Sequence, residues 1–177
     1  MAIKIYRDLE EAIKDVRFAF DVEHSHLGHY SISEIDHATD KGKTVDSISV
    51  WLEKIATEYL GQALNDDFKQ SMKVIIHHLI VNAYRYGIEF APTGGKITVE
   101  NWVGRKGVLA GTKQQYNFFS PDQITYLQRG LSLLSTCDKS GDGGTELFVK
   151  EGNGILVCPD TKEIFVSKYY NNRKRKN

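Results

Sequence analysis

Val74-Ile-Ile-His-His-Leu-Ile-Val-Asn-Ala-Tyr-Arg-Tyr-Gly87 decides how this chain is read. Around it, Phe68, Met72, Ile75, Ile76, Leu79 and Ala83 recur at intervals of three and four, the spacing of a helix with one buried stripe. Asn82 sets a carboxamide near the end of that apolar helix. Such a group needs a partner: a backbone group, a neighbouring side chain, or a hydrated metal ion that bridges to phosphates.

Working outward, Asn65-Asp-Asp67 supplies the cap that starts this helix. Before it, residues 45–64 read as a helix with Ile48, Leu52, Ile55, Tyr59 and Ala63 in register. Residues 8–20 form an amphipathic helix with Leu9, Ile13, Val16 and Phe20 on one side. The polar stretch from Asp21 to Lys43 holds no lasting period and reads as a loop broken by a short helix around Ser33 to Thr39.

Beyond Gly87 the pattern changes. Pro92-Thr-Gly-Gly95 is a turn, residues 96–103 alternate as a half-buried strand does, and Gly104-Arg-Lys-Gly107 leads into a hairpin partner at residues 108–112. Ser120 and Pro121 open a further helix to Ser135. Two strands, Gly154–Cys158 and Glu163–Tyr169, end the chain. Helices followed by sequential strands predict an α+β fold, a two-layer sandwich with helices on one face of a mixed, largely antiparallel sheet.

The 177 residues suit a single domain, with a helical N-terminal part over about residues 1–66, an α/β part over about 67–170 and a basic tail at 171–177. Acidic and basic residues balance at 23 each, so no global field draws the protein to nucleic acid or a membrane. Arg173-Lys-Arg-Lys176 reads as a solvated terminus. Cys137 and Cys158, the only cysteines, form neither a close pair nor a ligand-spaced set, which fits a reducing cytoplasm. No apolar run approaches the roughly twenty residues that cross a bilayer, and the N-terminus lacks a signal-peptide core.

A second stretch with chemical content is Asp138-Lys-Ser-Gly-Asp-Gly-Gly-Thr145, followed by Glu146. Glycines at 141, 143 and 144 let backbone amides turn toward an anion, and a helix starting at Thr145 would add the positive end of its dipole.

Together these stretches resemble the histidine-kinase-like ATPases, the superfamily of Bergerat fold that also takes in type II topoisomerases, mismatch-repair ATPases and bacterial anti-sigma kinases. Its N-box reads roughly Glu-x-x-x-Asn-Ala-x-x-His-Gly, and His78, Asn82, Ala83, Tyr86 and Gly87 stand at those places. The glycine loop is similar to a shortened second glycine box, with Glu146 where the family has glycine. The resemblance implies an ATP-binding regulatory protein, nearest to stand-alone anti-sigma-type kinases. Asn82 would hold the Mg2+ of Mg-ATP, and Gly87, Gly141, Gly143, Gly144 and Thr145 would line the nucleotide site.

Two departures limit what the resemblance implies. His78 occupies the place of the glutamate that serves as base in phosphoryl transfer, and a neutral imidazole carries no negative charge. ATPase or serine-kinase activity is therefore expected to be weak or absent. The Asp-x-Gly-x-Gly box that reads adenine is missing: its neighbourhood, residues 109–119, holds Gly111 but no aspartate. Asn101, Glu100 and Asp122 all stay open as substitutes. A regulatory protein is the expected partner, and a homodimer stays open. The rival reading is a non-catalytic interaction module of the same fold that has lost its nucleotide.

Other patterns carry less. Glu23, His24, His26 and His29 could ligate a metal, but no second cluster completes a set, and a solvated, pH-responsive loop is the simpler account. Gly42-Lys-Thr44 is not the tail of a Walker loop, because the glycine required upstream is His37. No Gly-x-Ser-x-Gly nucleophile elbow occurs.

Overall fold

The computed structural model describes residues 4–16, 28–35, 40–84, 97–113, 144–158 and 163–170. Their elements run β1 (Lys4–Ile5), α1 (Leu9–Val16), β2 (Gly28–Ile35), α2 (Lys41–Leu60), α3 (Asp66–Tyr84), β3 (Ile97–Val103), β4 (Gly107–Lys113), α4 (Gly144–Glu151), β5 (Gly154–Cys158) and β6 (Glu163–Tyr169). All six strands form one sheet in the order β1-β5-β6-β4-β3-β2. Every pairing is antiparallel except β1 with β5. The α+β class and the mixed, largely antiparallel sheet agree with the sequence, and the helix of residues 120–135 lies outside the described residues.

Strand alternation sorts the side chains onto two faces. Val103, Val108, Ala110, Ile155, Ile164 and Val166 pack against α2, α3 and α4. Trp102, Leu109, Leu156 and Phe165 point the other way and pack under α1 with Ala12 and Val16. The expectation of helices on one face therefore holds for α2, α3 and α4 and is corrected for α1. Both faces of β4 are buried from Gly107 to Thr112, which made this double coverage possible.

A polar clasp fixes α1 on that second face. The Asp15 carboxylate accepts from Tyr6 Oη at 2.7 Å, Lys106 Nζ at 2.8 Å, Lys4 Nζ at 3.2 Å and the Tyr169 hydroxyl. Tyr6 Oη also shares a hydrogen with Ser167 Oγ at 2.6 Å. Burial alone would raise the Asp15 carboxyl's pKa, but the four donors outweigh it and hold it well below the usual carboxylate range.

Three elements differ from the sequence reading. Residues 33–35 belong to strand β2 rather than to a short helix, and residues 36–39 lie outside the described set. An edge strand needs only one neighbour, here β3, and the polar residues it tolerates look like loop. Strand β1 has two residues, too few for any period, and pairs with a partner about 150 positions away in sequence (Lys4↔Gly154). Helix α2 begins at Lys41, not Val45, because Asp40 caps it by accepting from the Lys43 amide at 3.1 Å before any apolar residue appears. It ends at Gly61, whose φ of 63° is left-handed, so Leu64 belongs to the connection.

The predicted cap of α3 is present: Asn65 Oδ1 accepts from the Phe68 amide at 2.7 Å. Asn65→Ala is expected to cost about 1 kcal/mol. Urea unfolding should show this as a lower midpoint at unchanged slope; an unaltered midpoint would mean that solvent replaces the cap.

Candidate functional site

Contacts at the two ends of α3 show how it lies on the sheet. Near its start, the Phe68 ring meets Tyr170 at 4.9 Å, and the preceding Tyr169 pairs with Gly107 at the beginning of β4. Helix α3 therefore starts over the Gly107 end of β4 and advances toward Lys113. From Phe68 to Asn82 the helix rises about 21 Å, and β4 spans about 20 Å.

The neighbouring helices run the opposite way. Lys69 pairs with Glu53 at 3.2 Å and Lys73 with Asp46 at 2.8 Å, while Lys41 Nζ lies 3.8 Å from the Tyr84 ring centroid, so the start of α2 stands beside the end of α3. Ser71 donates to Glu151 at 2.6 Å, tying the last residue of α4 to the first turns of α3. The N-terminus of α4, at Gly144 and Thr145, consequently points toward the Asn82 end. A carboxamide and the positive end of a helix dipole therefore face the same end of the layer.

Asn82 is buried, at 6 % exposure, on a helix whose other buried residues are apolar. His78 lies one turn earlier on the same face and is half-buried. Burial lowers its pKa below the usual imidazole range, and the neighbouring His77, whose ring stands edge-on at 5.5 Å, lowers it further. At neutral pH the ring is uncharged, with one acceptor nitrogen. It is not a substitute for a carboxylate base.

Beneath α3 the sheet carries two polar side chains that lack partners. Asn101 is wholly buried with neither Oδ1 nor Nδ2 hydrogen-bonded, and Thr112 is wholly buried with Oγ1 unbonded. Asn101 stands opposite Ala110 and Thr112 opposite Val99, so the two are diagonal neighbours across β3 and β4. Both belong to the face that carries Val99, Val103, Val108 and Ala110, which α2 and α3 cover. Each such group costs about 1–3 kcal/mol unless something satisfies it.

Of the three substitutes for the missing aspartate, Asn101 faces the helical layer. Glu100 alternates to the other side and Asp122 lies outside the described residues. Thr112 was not singled out in the sequence. The inward positions of β4 read Val108, Ala110, Thr112, and a hydroxyl in that series was the available signal. Gly111, in the stretch where the resemblance would place that box, turns to the other face of the sheet and packs under Phe165.

Gly87, Gly141 and Gly143 lie outside the described residues, while Gly144 and Thr145 open α4 with Glu146 in its first turn. His24 and His26 are also outside, and His29 sits on β2 opposite Trp102. Among the described residues no group of three or more His, Cys, Asp or Glu could hold a metal ion. No helix among them is long and apolar enough to cross a membrane. Compared with protein-family models and with curated proteins, the chain matches none.

Proposed function

We propose that this chain is an ATP-binding regulatory protein similar to stand-alone histidine-kinase-like ATPase domains, and that it holds Mg-ATP between its helices and its sheet with little or no turnover. The observation that carries the proposal is the shared orientation of Asn82 and the start of α4. A triphosphate needs a cation and oriented donors. Asn82 would offer its carboxamide oxygen to the magnesium ion, which would neutralise charge on the phosphates. Backbone amides at Gly144 and Thr145 offer donors and a positive dipole end, while Gly141 and Gly143 lie outside the described residues.

Neutral His78 supports binding over hydrolysis. A base for serine phosphorylation or for water attack has to accept a proton and carry the positive charge that follows, and for this ring burial and the neighbouring His77 both oppose protonation. The regulatory partner follows from the resemblance to anti-sigma-type kinases.

Titration with a fluorescent ATP analogue, with and without magnesium, tests this reading. Micromolar binding that needs magnesium and weakens about tenfold or more in Asn82→Ala is the expected result. Absence of binding at millimolar nucleotide would overturn it and leave the interaction module that has lost its ligand.

A further inference from the structure

We infer that two copies of this chain pair through α2, antiparallel about a two-fold axis at Val50. Among the described residues Val50 is the large apolar side chain that lies open, at 68 % exposure. It stands on the rim of a groove of about 430 Å³ between α2 and α3, whose other apolar lining is Leu52, Leu64, Phe68 and Met72. The ion pairs that join the two helices, Lys73 with Asp46 at 2.8 Å and Lys69 with Glu53 at 3.2 Å, attach to α2 before and after Val50 and leave it uncovered. This surface borders the first turns of α3, whereas Asn82 stands near the other end of that helix, so the inference is independent of the nucleotide reading.

Charge along α2 selects the occupant. Asp46 lies four residues before Val50 and Lys54 four residues after it, so the three share one stripe of the helix, each charge about 6 Å from the valine along the axis. All three residues are exposed, and Lys54 makes no ion pair among the described residues. The stripe therefore reads negative, apolar, positive. A half-turn about Val50 reverses that order, which sets Asp46 opposite the partner's Lys54 and Lys54 opposite the partner's Asp46. A parallel pairing would instead face Asp46 with the partner's Asp46 and Lys54 with the partner's Lys54, two repulsions in place of two attractions.

The same rotation brings the two Val50 side chains together on the axis, where they close the mouths of both grooves. Removing this apolar surface from water drives the association, and the exposed ion pairs fix its direction more than its strength. Asp46 keeps Lys73 of its own copy and gains a second ammonium across the axis. An unrelated protein would have to reproduce the reversed stripe; a second copy already carries it.

Sedimentation or light scattering over a range of protein concentrations tests the inference. Wild type should pass from monomer to dimer in the micromolar range. Val50→Asp, Lys54→Glu and Asp46→Lys should each raise the dissociation constant about tenfold or more while still melting cooperatively. An equimolar mixture of Lys54→Glu with Asp46→Lys should recover dimers to within about threefold of wild type, because opposite charges then face each other at both ends of the stripe. Val50→Cys should give a disulfide-linked dimer under mild oxidation, beyond any that wild type forms with Cys137 and Cys158.

A wild type that stays monomeric up to about 1 mM would overturn the inference. So would a dimer that all three variants leave intact, since the contact would then lie elsewhere. A mixture of the two charge variants that remains as dissociated as its components, or an assembly that grows beyond two copies, would overturn the antiparallel two-fold pairing.

Discussion

Asp15→Ala is expected to lower the unfolding free energy by about 3 kcal/mol, because it strips the acceptor from buried Tyr6, from partly buried Lys106 and Tyr169 and from exposed Lys4. Four donors converge on this carboxylate: the hydroxyls of Tyr6 and Tyr169 and the ammonium groups of Lys4 and Lys106. With alanine there, the Lys106 ammonium lies against the Tyr169 ring, 4.0 Å from its centroid, without its carboxylate. For a chain of this length the loss corresponds to a fall of roughly 10 °C in melting temperature. A fall below about 3 °C would mean that the clasp contributes little.

The same carboxylate sets a pH dependence. Its folded pKa lies below the unfolded value, so its contribution is complete above the ordinary carboxylate pKa near 4 and is lost progressively as pH falls below that point. Tyr6 acts at the alkaline end. Burial, partly offset by the Ser167 bond, raises its pKa above the normal phenol value, so its contribution is present below about pH 10 and lost as pH rises beyond. Asp15→Ala should flatten the acid limb of the stability profile. Because α1 packs on the face opposite α3, the packing around Asn82 in the folded variant should match wild type.

Gly111→Val is the second large effect, at about 3 kcal/mol of destabilisation. A Cβ at position 111 would stand 1.8 Å from Cδ1 of Phe165, the residue directly across the β4–β6 pairing. That ring lies flat over the glycine and meets Trp102 edge-on at 5.5 Å, in the cluster that seats α1. A branched side chain there must expel the ring or part the strands. Combining it with Phe165→Leu should recover part of the loss, since the two positions share one volume. If the double variant is no more stable than strict addition of the single effects, ring displacement is the wrong cause.

Gly111 also illustrates how sequence and structure divide the argument. In the sequence it stands near the place of a ligand-binding box and invites a functional role. Its alternation in β4 turns it to the outer face, where its task is to leave room for Phe165. Asn101 shows the converse. Its composition equals that of many strand asparagines, and only pairing opposite Ala110 beneath α3 makes it a buried amide without a partner.

What the sequence determined by itself is local: the stripe that buries α3, the Asn65 cap, the β3–β4 and β5–β6 strands with their alternation, and the amide of Asn82 near a helix end. These follow from period and cap chemistry, which act over a few residues. Tertiary structure alone decided that β1 and β2 close opposite edges of the sheet, that α1 covers its second face, and that the end of α4 meets the first turns of α3. Those choices come from long-range pairings such as Lys4 with Gly154 and from donors gathered around Asp15, which leave no periodic trace along the chain.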